Sequence, residues 1–209
     1  MKMLTKNGIS CLLALLLLVL LSACASLLAP KVKNQLIELQ AGQYQLDKNH
    51  ASLLFRVKHL GLSDYVGRFN DFDASLDFDP QDPLSMQLQA VINSASIDVN
   101  NPEFEDTLKG SSWLNSQEFP QASFTSQSIK QVSDNQFIIT GSLLLNGIRK
   151  LIDINLIFNG GANNFISGKY TLGFSARVSF LRSEFGIDQY LGLVGDEVLV
   201  EVDGEFYKR

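Results

Sequence analysis

The sequence predicts an all-β chain, an antiparallel barrel of about eight strands with one short helical segment. Three observations carry that prediction: a hydrophobic period of two recurring from Tyr44 to Phe206, connections punctuated by Gly and Asn, and no βαβ rhythm or fixed-period repeat. The 209 residues are 45% hydrophobic and 19% charged, which suits a single globular core. Lys and Arg number 17 against 22 Asp and Glu, a formal charge of -5 with no run of like sign. An electrostatic hold on phosphates needs the opposite balance, so nucleic acid is excluded as the main partner.

The N-terminus reads as an export signal. Lys2 and Lys6 precede an unbroken apolar run from Cys11 to Leu21, followed by Ser22 and Ala23. That run is too short to cross a bilayer comfortably, which takes about 20 apolar residues. Leu21-Ser22-Ala23-Cys24 resembles the bacterial lipobox, which implies a signal peptide over residues 1–23 and acylation of Cys24 as the mature N-terminus. An ordinary signal peptide or an uncleaved anchor remains the alternative. Ala25 follows the cysteine where inner-membrane retention would want aspartate, so the resemblance implies the periplasmic face of the outer membrane, with a lipid anchor. Residues 24–42 are then expected to form the lipidated N-terminus and a tether, Ala25 to Gly42, of about 18 residues, long enough for the mouth of a barrel over 43–209 to meet the lipid surface.

The strands follow in order. Leu53, Phe55 and Val57 alternate with Leu54, Arg56 and Lys58; Phe72, Ala74, Leu76 and Phe78 alternate with Asp71, Asp73, Ser75, Asp77 and Asp79. Leu84 to Ile92, Ile152 to Phe158 and Val198 to Phe206 keep the same beat. Asn146-Gly147 predicts a two-residue hairpin, and Asn159-Gly160-Gly161 to Asn164 a longer turn. Between Asn101 and Phe119 the period breaks. Pro102 suits a first helical position and Glu103, Glu105 and Asp106 suit the positive end of a helix dipole, predicting a helix over 102–110 and a further turn near Trp113.

Chemistry-bearing motifs are sparse. No cysteine follows Cys24, so cysteine catalysis and disulfides are excluded from the barrel. Gly173-Phe174-Ser175-Ala176-Arg177 begins like a nucleophile elbow but lacks its closing glycine and a local histidine. Asp71, Asp73 and Asp77 mimic a calcium loop, yet Leu76 occupies the glycine position, and the same spacing places carboxylates on the wet face of a strand. His50 and His59, nine positions apart, fall on opposite faces of a continuous strand. The reading therefore has no enzyme activity, no metal and no cofactor. What remains is an apolar interior with cations near strand ends, Arg68, Lys150 and Arg182 among them, suited to an amphiphile with a polar or anionic head.

Several segments together resemble one family, the YceI-like proteins. They include Tyr44-Gln45-Leu46-Asp47, His59-Leu60-Gly61, Gly67-Arg68-Phe69, Thr107-Leu108-Lys109-Gly110 before Trp113-Leu114, and Phe119-Pro120 before Phe124-Thr125-Ser126. Arg182-Ser183-Glu184-Phe185-Gly186-Ile187 ahead of Gly195-Asp196-Glu197-Val198 is the most distinctive piece. Phe104 to Leu108 and Val99 depart from the common family pattern. The resemblance implies a lipocalin-like barrel that binds, stores or transports an isoprenoid or other amphiphilic lipid without covalent chemistry. The expected ligand contacts are Phe55, Val57, His59, Arg68, Phe72, Ile92, Phe124, Lys150, Phe174 and Arg182. A homodimer is compatible with this reading. The competing expectation is an envelope stress or scaffold protein whose barrel is filled by its own side chains and whose surface binds another protein. Whether the inward residues line or close the lumen separates the two.

Overall fold

The computed structural model describes residues 31–209; the signal segment and Cys24 lie outside the described residues. Among the described residues the strands are β1 (Gly42–His59), β2 (Ser63–Phe69), β3 (Phe72–Phe78), β4 (Gln87–Asn93), β5 (Ile97–Asp98), β6 (Gln121–Ser133), β7 (Gln136–Leu145), β8 (Ile148–Asn163), β9 (Tyr170–Leu181) and β10 (Val194–Lys208), with one α-helix, α1 (Pro102–Lys109), between β5 and β6. Eight of the strands close an antiparallel barrel in the order β1, β3, β4, β6, β7, β8, β9, β10. The seam is β1 against β10, from Tyr44↔Lys208 to His59↔Val194. On its other edge β1 pairs first with β3, then with β2, and β5 adds a short step at Arg68 and Phe69. The predicted hairpin at Asn146-Gly147 is present, with both residues at positive φ (50° and 74°), as a twist-matched two-residue turn requires.

Alternation gives every strand one inner face, but the two ends of the cylinder are finished differently. At the end where β1 begins, Tyr44, Phe78, Phe158 and Leu172 are fully buried and fill the section. Residues 32–40 lie across this end as a strap. Lys33 exchanges backbone hydrogen bonds with Gly161 (2.8 and 2.9 Å), Leu36–Glu38 make one 3-10 turn, and Leu39 is buried. The Tyr44 hydroxyl donates to the Gln40 carbonyl at 2.5 Å.

The strap accounts for one correction. Asn159-Gly160-Gly161 is not a turn: β8 continues to Asn163 and the chain reverses over 164–169. The glycines serve close approach instead. A Cβ on Gly160, at φ +139°, would meet Val32 Cγ1 at 2.3 Å, and one on Gly161 would meet Leu39 and Leu172 at 2.8 Å. Leu84, expected in a strand, falls in a 3-10 turn (Pro83–Ser85), because proline at its start favours that geometry.

At the opposite end the wall is looser. β8 pairs with β9 only from Asn155↔Arg177 toward the strap end, so residues 148–154 and 178–181 part company. Residues 182–187 occupy the parting: Phe185 is fully buried and meets Phe180 edge-on at 5.3 Å, and its carbonyl accepts from Asn146 Nδ2 of the β7–β8 turn. α1 lies nearby as half a lid. Asn101 caps it by accepting from the Phe104 amide, Pro102 opens it, and Glu105 reaches back to the amides of Val99 and Asn101. Leu108 packs with Ile97 and Val99, against Phe55, Phe69, Phe104, Trp113 and Leu114.

Candidate binding site

The barrel encloses a cavity of about 1000 Å³, open at the end where β1 finishes. Its wall is hydrocarbon from Leu46, Leu76 and Met86 near the strap end up to Val57, Val178 and Val198 near the mouth. The polar side chains that line it, His59, Tyr65, Ser94, Asn101, Arg182 and Tyr190, all belong to the mouth. A long apolar bore with polar groups at one rim is the shape of an amphiphile. The expectation of a barrel filled by its own side chains is overturned: Phe55, Phe72, Ile92, Phe124 and Phe174 line a lumen and do not close it.

Two glycines make room for lumen aromatics. A Cβ on Gly67 would sit 2.3 Å from Phe55 Cζ and one on Gly141 2.3 Å from Phe124 Cζ, so each ring lies over a bare backbone on the neighbouring strand. Above them an aromatic series crosses the mouth. Tyr65 meets Phe104 edge-on at 5.8 Å, Phe104 meets Trp113 edge-on at 6.4 Å, and Trp113 lies 6.3 Å from Tyr190. These four were not among the expected contacts, although Trp113 is the only tryptophan and Phe104 sits on the predicted helix. Their convergence depends on the path of the lid over the barrel, which alternation does not encode.

Of the expected contacts, Phe55, Val57, His59, Phe72, Ile92, Phe124, Phe174 and Arg182 line the cavity. Arg68 and Lys150 do not, and both are exposed. Arg68 pairs with Leu54 on the outer face, one residue out of phase with the inward Phe55–Gly67 pair. Lys150 lies opposite Leu143 on the part of β8 that has left β9, where its side chain reaches solvent.

Arg182 holds the rim together. Its Nε donates to the Gly195 carbonyl (2.8 Å), Nη1 to Ile187 (2.8 Å) and Nη2 to Val194 (3.0 Å), while the guanidinium lies 5.7 Å from the Trp113 ring centroid. Burial pushes its pKa down, and the charges of Asp196 and Asp188 oppose that shift. Three of five guanidinium N–H groups are thus taken by backbone, leaving two. Next to it, Asp196 accepts from the Ser183 hydroxyl (2.7 Å) and amide (2.9 Å), and these bonds hold its carboxyl below the usual range.

Apart from His59, the polar residues of the motifs that suggest catalysis or metal binding lie outside the lumen. Ser175 donates to Asp203 and accepts from Asn159. His50 pairs with Asp47 at 2.9 Å, and Asp71 with Lys48 at 3.2 Å. Among the described residues no cluster of three or more His, Cys, Asp or Glu could hold a metal.

The family model of the YceI-like domain matches residues 44–206. A UPF0312 protein of Yersinia pestis is 39% identical over 168 residues, covering 78% of this chain and 86% of its own. Among solved structures, Burkholderia cenocepacia BcnA superposes with a TM-score of 0.70 at 22% identity, over 77% of this chain and 98% of its own. A polyisoprenoid binding domain from Saccharophagus degradans does so with 0.64 at 12% identity, over 81% and 100%, likenesses that show the fold. On the extent of the family match and the identity to its curated relative, this chain belongs to the YceI-like family.

Proposed function

We propose that the protein binds an isoprenoid or other long-chain amphiphilic lipid in the bacterial envelope, storing or carrying it without altering it. The observation that carries this reading is the lumen of about 1000 Å³, hydrocarbon along its length and polar only at its mouth. Transfer of a chain from water into such a bore is worth about 0.8 kcal/mol per methylene, so roughly twenty carbons supply about 16 kcal/mol before the cost of ordering. The polar head then meets His59, Tyr65, Tyr190 and the two remaining N–H groups of Arg182. Among such lipids an isoprenoid is favoured by the likeness to the Saccharophagus domain of the same fold, which is described as polyisoprenoid binding.

Lipidation at Cys24, with residence at the periplasmic face of the outer membrane, belongs to the same proposal. Palmitate labelling that disappears in Cys24→Ser supports it, and retention of the unlabelled variant on membranes argues for a signal anchor instead.

The test of the binding reading is native mass spectrometry of the chain from residue 25 onward, followed by organic extraction. A co-purified chain lipid is expected. Ala176→Phe, which places a ring in the lumen, should empty it and lower affinity at least tenfold. An empty wild-type protein that takes up no chain lipid would overturn the proposal.

A further inference from the structure

The mouth carries an apolar lip built from two loops. Leu60 and Leu62 come from the β1–β2 turn, and Tyr190, Leu191 and Leu193 from the connection into β10; the Leu60 amide donates to the Leu193 carbonyl at 2.7 Å and ties them together. Leu62 is 85% exposed, Tyr190 63%, Leu193 56% and Leu60 50%. Leu60 and Tyr190 are both held at φ +54°, beside Gly61 and Gly192 at +68° and +90°. A left-handed backbone is unusual for bulky side chains, and both of these remain at least half exposed. Leu60, Tyr190 and Leu193 also line the cavity. The apolar surface therefore runs from outside into the lumen.

We propose that this lip docks on the surface of a lipid bilayer and that the ligand's chain passes across it into the barrel. The inference rests on the lipid-binding reading, since a chain drawn from a bilayer avoids water only if the mouth seals against hydrocarbon. The lip presents five side chains on tight turns with no exposed strand ladder between them, which suits a fluid surface. Attraction to anionic headgroups is not the driving force: the chain carries a formal charge of -5, so docking is apolar and insensitive to salt.

The strap places the tether at the end opposite the lip. Strand β1 runs 18 residues from the strap end to the lip; at about 3.3 Å per residue and a tilt of about 40°, the ends are roughly 45 Å apart. Eight peptide steps from Cys24 to Val32 span at most about 28 Å. An acylated Cys24 would hold the end opposite the lip, so a barrel standing upright on its tether points the lip away from the anchoring bilayer, and the lip reaches that bilayer only when the barrel tips over.

Leu62 and Leu191 lie on the lip outside the cavity lining, so Leu62→Asp/Leu191→Asp leaves the lumen intact. The chain from residue 25, which contains every element of the barrel, is floated with vesicles of phosphatidylethanolamine and phosphatidylglycerol (3:1) at 0.1 and 0.5 M NaCl. Wild type is expected to float at both, and the double variant at neither. A pyrene-labelled long-chain alcohol is then offered in vesicles or dispersed as monomer. The variant should take it from vesicles at least tenfold more slowly and from monomer at the wild-type rate. Equal uptake from vesicles, flotation of the variant, or flotation of wild type only at low salt would overturn the lip. So would a wild-type dimer in sedimentation velocity that the double variant dissolves without vesicle binding. Failure of wild type to take the probe by either route would sink the lipid-binding reading, and flotation would still judge the lip.

Discussion

The two ends of this barrel are built from the same strands on the same alternation, yet one is solid and the other hollow. At the strap end the inward positions hold Tyr44, Phe78, Phe158 and Leu172, and a strap of preceding chain covers them. Along the bore toward the mouth those faces carry Ala74, Ala90, Ala176, Val178, Val198, Val200 and Val202 between the rings of Phe55, Phe72 and Phe124, and the lumen stays open. Side-chain size within a face, more than the face itself, decides whether a barrel is a core or a container. The solid end supplies stability by close packing, and the hollow end gives some of that up for a binding surface.

The same deletion made at both ends tests that division most strongly. Phe158→Ala removes a ring that is 2% exposed and packed 5.5 Å from Phe174, so a loss of about 3–5 kcal/mol is expected in urea unfolding. Phe72→Ala removes a half-buried ring that already faces the cavity, and about 1 kcal/mol is expected. Equal losses would mean the lumen wall is as tightly packed as the strap end.

The mouth needs its own clasp because β8 and β9 separate there. Arg182→Lys keeps the charge but cannot reproduce a fork that serves three carbonyls, and buried carbonyls left unpaired cost about 1–3 kcal/mol each. The expected outcome is a loss of about 2–3 kcal/mol together with a change in Trp113 fluorescence, since that ring lies against the guanidinium. Lysine restoring wild-type stability would show that only the charge matters.

The barrel was legible in the sequence where the signal is local. Alternation over Asp71–Asp79 marks β3, Pro102 and its acidic neighbours mark α1, and Asn146-Gly147 marks a tight hairpin. Gly160 and Gly161 misled because glycine has two uses, and the partner that demands close approach, the strap, is more than 120 residues earlier in the chain. Arg68 and Lys150 misled for a related reason. A cation near a strand end is on the rim or on the outer wall according to register and to where two strands part, and neither is written in the residue itself. The open lumen was beyond local reading, because it is the sum of side-chain volumes from eight strands.

A pH dependence separates the mouth from the strand edge. Asp196 has a folded pKa below its usual value because of its bonds to Ser183, so its contribution is present above about pH 4 and is lost as pH falls through the folded pKa. Trp113 fluorescence should shift on that acid limb, and Asp196→Asn should flatten it. His50 works in the other direction: its hydrogen bond to Asp47 raises its pKa, so that contribution is full below about pH 6.5 and fades as pH rises through the raised value. Both histidine and partner lie outside the clasp, so the alkaline change should leave Trp113 silent.

The smallest expected effect probes how the strap is held. Tyr44 is fully buried, and its hydroxyl spends its proton on the Gln40 carbonyl at the end of the strap; burial raises its pKa, with the neighbouring Tyr170 adding to the shift. Tyr44→Phe keeps the ring and removes only that bond. A neutral hydrogen bond is worth about 1 kcal/mol net, and the orphaned carbonyl of Gln40, an exposed residue, can turn to water, so the global loss should be at or below that figure. Locally the loss should be larger in proportion. Amide exchange at Lys33 and Leu39, whose N–H groups bond to Gly161 and Leu36, should quicken several-fold while exchange in β6 and β7 stays as it was. Uniform acceleration across the barrel would instead make the strap part of the global folding unit, and the solid end would then owe its stability to the strap as much as to its aromatic filling.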